Sequence, residues 1–297
     1  MIYEKAYAKI NLSLDITGRR PNGYHEVRMI MQTLRMYDEL SFEEGLPGSG
    51  IVLSTNNETL NSEQESGADN LVVKAAKALF DYKGCIKDVS INLTKNIPIA
   101  AGMAGGSSDA AATLRGLNRL FDFNLSYDEL RTVAARIGAD VAFLVEGGLA
   151  LCEGIGEIIT NLNPLASLPV LICKPRVFVS TKEIYADYDS ENREYHPDVD
   201  AMLEAIKEYD YKKVCGLMGN VLEPVTKKQH PIITKIVDSI KRAGAVNAMM
   251  SGSGPTVFGI FDSDEALYRA FEIIKKEYPD CVVEVTRFYN IPREHFE

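Results

Sequence analysis

The sequence predicts an α+β chain of two domains, and three observations carry that expectation. Its 297 residues suit two units of about 100 to 200 residues each. Strand-type alternation and helix-type spacing follow one another along the whole length. A turn-rich stretch at residues 161–169, NLNPLASLP, lies between two strand readings near the middle. It places the expected division at 1–162 and 163–297.

The elements follow in order. From Ala6 to Ile16 apolar residues alternate strictly, with Ala6, Ala8, Ile10, Leu12, Leu14 and Ile16 on one face of a strand. Lys5, Tyr7, Lys9, Asn11, Ser13 and Asp15 take the other, so Lys9 and Asn11 project the same way. The run Gly18 to Glu26, GRRPNGYHE, breaks the pattern, and Gly23 is its candidate for positive φ. The polar segment Gly45 to Asp69 reads as hairpin or loop. Asp69 or Asn70 can cap a helix bearing Leu71, Ala75, Ala78 and Leu79. Val89, Ile91 and Leu93 mark a half-buried strand, and the Gly-rich run Pro98 to Ala111 follows it. Ala110, Leu114, Leu117 and Phe121 fit a helix. Ser126 and Glu129 form a capping box before Leu130, Val133, Ala134 and Ile137. Further strands are expected at Leu149–Cys152, Val170–Cys173, Thr256–Phe261 and Val282–Phe288. Helices are expected through Val199, Met202, Leu203 and Ile206, and through Ile233, Ile236, Val237 and Ile240. The latter is opened by Pro231 and closed at Gly244.

Composition excludes several classes. With 32 Lys and Arg against 42 Asp and Glu the formal charge is −10, and there is no basic block. That argues against nucleic-acid or anionic-membrane binding, which needs clustered cations. No stretch of 18 apolar residues or signal-like N-terminus occurs, so a cytoplasmic protein is expected. The five cysteines are scattered, without a C-x-x-C, and read as reduced thiols. Four histidines at wide spacing give no metal-ligand pattern.

Chemistry concentrates in the glycine-rich runs. Gly105-Gly106-Ser107-Ser108-Asp109 opens a helix directly after a loop of small residues. Such a terminus offers unpaired backbone N–H groups and a helix dipole to a phosphate, and the serines add hydroxyls for phosphate or Mg²⁺. The same residues also suit an ordinary helix start. A Walker A loop fails for want of a Lys after the glycines, and a dinucleotide fingerprint fails because Asp122 falls between helices. A second run, MSGSGPTVF at 250–258, is either a turn entering a strand or a second backbone nest close to the first in space.

The order of motifs AKINLSL (8–14), GRRPNGYHE (18–26), PIAAGMAGGSSDAA (98–111), GADVAF (138–143) and MSGSGPTVF resembles the superfamily of galactokinase, homoserine kinase, mevalonate kinase and phosphomevalonate kinase. Within it, the combination is similar to the 4-diphosphocytidyl-2-C-methyl-D-erythritol kinase family. The resemblance spans nearly the whole chain and is weaker between Ser190 and Val246. It implies a ribosomal S5 domain 2-like N-terminal domain binding ATP and acceptor. It also implies a C-terminal α/β sandwich substrate domain, with the active site in the cleft between them. The implied reaction phosphorylates the 2-hydroxyl of 4-diphosphocytidyl-2-C-methyl-D-erythritol with ATP and Mg²⁺, in the non-mevalonate route to isopentenyl diphosphate. The implied partners are these small molecules, without nucleic acid or membrane, in a monomer or weak homodimer.

Site residues carry over only where the motifs match. Lys9 and Asp140 become the catalytic pair, Asp140 taking the acceptor proton and Lys9 keeping it ionised. Asn11 and Thr181 line the substrate. His25 reads the cytosine edge through one ring nitrogen, its tautomer set by the partner of the other, and Tyr24 and Tyr185 are the candidates to stack on the base. Pro98, Ala100, Gly102, Ala104, Gly105, Gly106, Ser107 and Ser108 cradle the triphosphate, with Ser108 as the candidate Mg²⁺ ligand. Without the resemblance, Lys9 reads as a solvated strand lysine and Asp140 as a turn aspartate.

The chain departs from the family pattern where Ala100 and Ala104 replace glycines, Met103 replaces Leu and Ala142 replaces Pro. Asn220–Glu223 reads N-V-L-E in place of N-D-L-E. The two alanines are expected in ordinary backbone regions, or the loop differs locally. A sibling kinase for another small alcohol and a non-catalytic nucleotide-binding protein are the alternative readings. GRRPNGYHE separates the first from the leading one, and the joint presence of Lys9, Asn11, Asp140 and Ser108 separates the second.

Overall fold

A computed structural model of the chain describes residues 1–57, 70–190 and 195–290. Its contacts divide into two units that are discontinuous in sequence: residues 1–8, 36–99 and 104–147, and residues 9–35, 100–103 and 148–297. The division expected at 162/163 lies inside 148–297, which belongs wholly to the second unit. Strands β1 (Ile2–Arg19) and β2 (His25–Glu44) each contribute residues to both.

In the first unit, the distal half of β2 pairs antiparallel with β4 (Val89–Thr94), Leu40 opposite Leu93 and Phe42 opposite Ile91. Strand β3 (Ile51–Thr55) joins β4 in parallel. It lies in the polar segment read as hairpin or loop, where partial burial keeps its strand pattern weak. Helix α1 (Leu71–Lys83) begins where the Asn70 side chain accepts from Val72 N and ends at Gly84 in the left-handed region. Asp69 lies outside the described residues. Helix α2 (Gly105–Leu120) packs against α1, and the expected capping box of Ser126 and Glu129 opens α3 (Tyr127–Ala135). Short α4 (Ala139–Leu144) carries Asp140 in its first turn.

In the second unit, Met29 to Gln32 of β2 pair antiparallel with β5 (Leu149–Glu153), which pairs with β6 (Ile158–Asn161). A separate antiparallel sheet is ordered β11 (Val282–Arg287), β7 (Pro169–Lys174), β10 (Val257–Ile260), β9 (Asn247–Met250). Between β7 and β9 the chain forms α5 (Thr181–Ser190), α6 (Val199–Lys207), α7 (Tyr211–Gly216) and the two-residue β8 (Gly219–Asn220). Helices α8 (Glu223–Gln229) and α9 (Ile232–Arg242) complete that stretch. Strand β8 pairs with β1 in parallel, Ser13 opposite Gly219. Helices α9 and α10 (Asp264–Glu277) cover the four-stranded sheet. Ile233, Ile236 and Ile240 of α9 and Leu267, Ala270 and Ile274 of α10 share one core with Leu171, Val257 and Phe261. Burying each of the Ile, Leu, Val and Phe side chains contributes about 1.5–3 kcal/mol.

The alternation in β1 is real, but its polar face is not solvated. Lys9 is 4% exposed, Asn11 and Ser13 are fully buried and Asp15 nearly so. A polar row inside a protein must find partners or remain costly. That row is where the site begins.

Candidate functional site

Lys9 and Asn11 lie two residues apart on one side of β1, and Lys9 Nζ donates to Asn11 Oδ1 at 2.8 Å. Asn11 Nδ2 turns to the Met29 sulfur at 3.5 Å. The Lys9 backbone N–H donates to Met103 O at 3.2 Å, which fastens β1 to the first glycine-rich loop. Gly102 of that loop sits at φ 69° and touches the second glycine-rich run. Ser251 Oγ donates to Gly102 O at 2.9 Å, and a Cβ on Gly102 would fall 2.9 Å from the Gly254 carbonyl and closer still to that of Ser251. Of the two readings of the second run, the structure shows the placement close to the first in space. A Cβ on Gly252 would lie 3.6 Å from Asn11 Oδ1, so the second run also borders the Lys9–Asn11 pair.

Two further residues hold the second run in place. Buried Asn220 donates through Nδ2 to Met250 O at 3.0 Å and Gly252 O at 2.8 Å, and its Oδ1 accepts from Leu222 N at 3.0 Å. No motif assigns Asn220 a role. The motif N-V-L-E was its only signal, and a side chain that satisfies three backbone groups at once is visible only in the fold. Thr181 and Ser253 share a hydroxyl hydrogen bond of 2.8 Å, which sets Thr181 beside the run.

The Tyr-His turn is built on a different edge of the same unit. Arg20 N–H donates to Tyr24 O at 2.7 Å, Gly23 takes φ 88° as expected, and β2 starts at His25. The His25 ring lies against Tyr185 of α5, centroids 4.8 Å apart at 41°. Its Nε2 hydrogen-bonds Asp189 Oδ1 at 2.7 Å. Tyr24 is 60% exposed and does not share in this contact.

Residues 100–103 of the first glycine-rich run belong to the second unit, whereas in the first unit residues 104–108 form the start of α2. Ala104 is its N-cap and Gly105 to Ser107 its first residues, with no side-chain cap, which leaves the first-turn N–H groups available to an anion. Ala100 and Ala104 sit at φ 50° and 56°. This corrects the expectation of ordinary backbone there: the loop keeps left-handed geometry at both positions and the alanines carry about 1–2 kcal/mol of strain each. Ser107 is half-buried, whereas Ser108 is buried. Ser108 Oγ hydrogen-bonds the carbonyls of Tyr7 at 2.7 Å and Ala104 at 3.0 Å, so this hydroxyl braces the helix start.

The first unit also holds a dry charge cluster. The Lys95 ammonium bridges the carboxylates of Asp38 and Asp109, the latter at 2.6 Å. Asp38, fully buried, also accepts from Ile97 N at 2.7 Å. Burial pushes the Asp109 carboxyl up to about 8, against the downward pull of Lys95. Its Oδ1 has no hydrogen-bond partner among the described residues. Arg115 of α2 donates to Leu144 O at 2.9 Å, the C-terminal end of α4, and pairs with Glu4 at 3.0 Å. A cation on that carbonyl end is the arrangement a helix dipole favours, and it fixes the short helix that bears Asp140.

Among the described residues no group of three or more His, Cys, Asp or Glu could hold a metal, and no helix is long and apolar enough to cross a membrane.

Known families match two stretches of the chain. Residues 70–148 match the GHMP kinases N terminal domain and residues 202–280 the GHMP kinases C terminal. The 4-diphosphocytidyl-2-C-methyl-D-erythritol kinase of Lachnoclostridium phytofermentans is 48% identical over 90% of each chain. That of Bacillus subtilis is 47% identical over 91% of each. A crystal structure of a 4-(cytidine 5'-diphospho)-2C-methyl-D-erythritol kinase superposes with TM-score 0.78 at 28% identity, covering 97% of this chain and 100% of that one. L. major mevalonate kinase, 16% identical over 98% and 97% of the two chains with TM-score 0.78, shares the fold. On these matches the α+β expectation holds, and the chain belongs to the 4-diphosphocytidyl-2-C-methyl-D-erythritol kinase family of GHMP kinases.

Proposed function

We propose that this chain transfers the γ-phosphoryl group of ATP to the 2-hydroxyl of 4-diphosphocytidyl-2-C-methyl-D-erythritol, giving the 2-phosphate and ADP, a step of isoprenoid biosynthesis. The observation that carries the reading is the buried Lys9–Asn11 pair beside the Gly252 loop. An ammonium group shielded from water and placed beside a backbone loop is suited to an anionic or polarised oxygen.

In this reading the unpaired N–H groups at Gly105, Gly106 and Ser107 and the loop Pro98 to Ala104 cradle the triphosphate. Asp140 accepts the proton of the 2-hydroxyl as its oxygen bonds to the γ-phosphorus, while the bond from that phosphorus to the β,γ-bridging oxygen breaks and leaves with ADP. Lys9 steadies the developing alkoxide charge, and Asn11 orients Lys9. Positioning and charge stabilisation are what phosphoryl transfer mainly asks of a protein. Thr181 and Asn11 border the acceptor, and His25, Tyr24 and Tyr185 take the cytosine.

The donor set does not favour a protein-held Mg²⁺ at Ser108, whose hydroxyl is buried and bonded to backbone carbonyls. Mg²⁺ belongs in this reading to the triphosphate and its waters, with Ser107 the hydroxyl of the pair nearer solvent. Release of ADP with Mg-ATP and each of 4-diphosphocytidyl-2-C-methyl-D-erythritol, methylerythritol phosphate, mevalonate and homoserine tests the proposal. Turnover on the first alone is expected, and turnover on another alcohol in its place overturns the specificity.

A further inference from the structure

We propose that Asp189 is a specificity-determining positioning residue: it fixes the His25 imidazole as a hydrogen-bond acceptor at Nδ1, matched to the 4-amino group of cytosine and opposed to the 4-oxo group of uracil. The inference rests on the cytidine reading above and extends it to a residue that no motif singles out.

Tyr185 and Asp189 are four residues apart on α5, one turn, so they present to the same side. Tyr185 lies against the His25 ring and Asp189 takes the ring edge, Oδ1 to Nε2 at 2.7 Å. The other oxygen, Oδ2, is held by Arg19 Nη1 at 3.0 Å. An ion-paired carboxylate only accepts hydrogen bonds, so Nε2 must carry a proton. In the neutral imidazole Nδ1 then holds the lone pair. The pairing edge of cytosine has a single donor, the exocyclic 4-amino group. Uracil sets an oxygen at that position, so an acceptor nitrogen there meets a second lone pair. The His25 side chain is 12% exposed and that of Asp189 26%, so competition from water is limited. Arg19 and His25 come from the β1–β2 segment and Asp189 from α5, so Asp189 is gripped on both oxygens by groups from another part of the second unit.

The test compares the cytidyl substrate with its 4-diphosphouridyl analogue, in the wild-type chain and in Asp189→Asn and Asp189→Glu. Loss of one matched hydrogen bond is worth about tenfold. In Asp189→Asn the amide can donate to Nε2 and move the proton to Nδ1. The cytidyl-to-uridyl ratio of kcat/KM is therefore expected to fall about tenfold, through KM rather than kcat. Asp189→Glu is expected to restore most of the ratio. Imidazole ¹⁵N shifts, with the His25 signal assigned through His25→Gln, are expected to show Nε2 protonated in wild type and a shift toward Nδ1 in Asp189→Asn. An unchanged ratio and tautomer in Asp189→Asn, with the wild-type chain active on the cytidyl substrate, overturns this proposal alone. Wild-type activity on neither diphosphate overturns the cytidine reading itself, and the base selection with it.

Discussion

Gly102→Ala is the most demanding perturbation of the loop architecture. Gly102 is at φ 69°, where an alanine costs roughly 1–2 kcal/mol. Its new methyl would also meet two backbone carbonyls, Gly254 O at 2.9 Å and Ser251 O closer. Neither can swing aside as a side chain would, and overpacking of this kind costs about 1–3 kcal/mol. Relief comes by parting the two glycine-rich runs, which breaks the hydrogen bond from Ser251 Oγ to Gly102 O, worth about 1 kcal/mol. Either way the expected loss is about 2–5 kcal/mol of stability or of loop order. Urea unfolding with and without ATP, together with the KM for ATP, reads both. Ala100→Gly and Ala104→Gly are the controls. Each removes roughly 1–2 kcal/mol of left-handed strain against about 0.4–1 kcal/mol of added unfolded-chain freedom, so stability should hold or rise slightly. A Gly102→Ala chain with unchanged unfolding midpoint and unchanged KM for ATP would refute the contact between the runs.

Other outcomes follow from the same geometry. Asp140→Asn should lower kcat about 10²- to 10⁴-fold with little change in KM, measured by ADP release. Lys95→Met leaves the carboxyl groups of Asp38 and Asp109 buried together without their cation. It should cost about 3–5 kcal/mol in denaturant unfolding. Asn220→Ala strips partners from two buried carbonyls and one N–H, and about 2–4 kcal/mol of stability should go with it. The Asp109 carboxyl is raised from an ordinary 3.8 to about 8. Between those values the folded chain therefore holds a proton that the unfolded chain releases. Its contribution to stability is full below about pH 4 and is lost as the pH climbs through 8. Unfolding free energies across that window should decline in wild type and flatten in Asp109→Asn.

The sequence was most legible where structure is local. The alternation through Leu12, the Asn70 cap, the Ser126–Glu129 box and the strand–loop–helix series at 89–120 are nearest-neighbour patterns, and they appear as read. Strand β2 escaped because Met29 to Leu34 are buried on both faces, which erases the period of two. Helix α5 escaped because it buries only Ile184. That Lys9 is dry could not be read from its own strand, since the cover comes from elsewhere in the chain. The left-handed alanines contradict the intrinsic preference of the residue, and only surrounding contacts hold them there. The partner of His25 stands 164 residues away, beyond any spacing rule.

The most direct test of the function is the position of the new phosphate. The carbon bearing the 2-hydroxyl also bears the methyl group and no hydrogen, so a 2-phosphate has no three-bond coupling to a carbinol proton. With Mg-ATP and 4-diphosphocytidyl-2-C-methyl-D-erythritol, proton-coupled ³¹P NMR is expected to show one new phosphomonoester singlet beside an intact diphosphate. A doublet or triplet would place the phosphate on another hydroxyl, and no monoester at all would contradict the kinase reading itself.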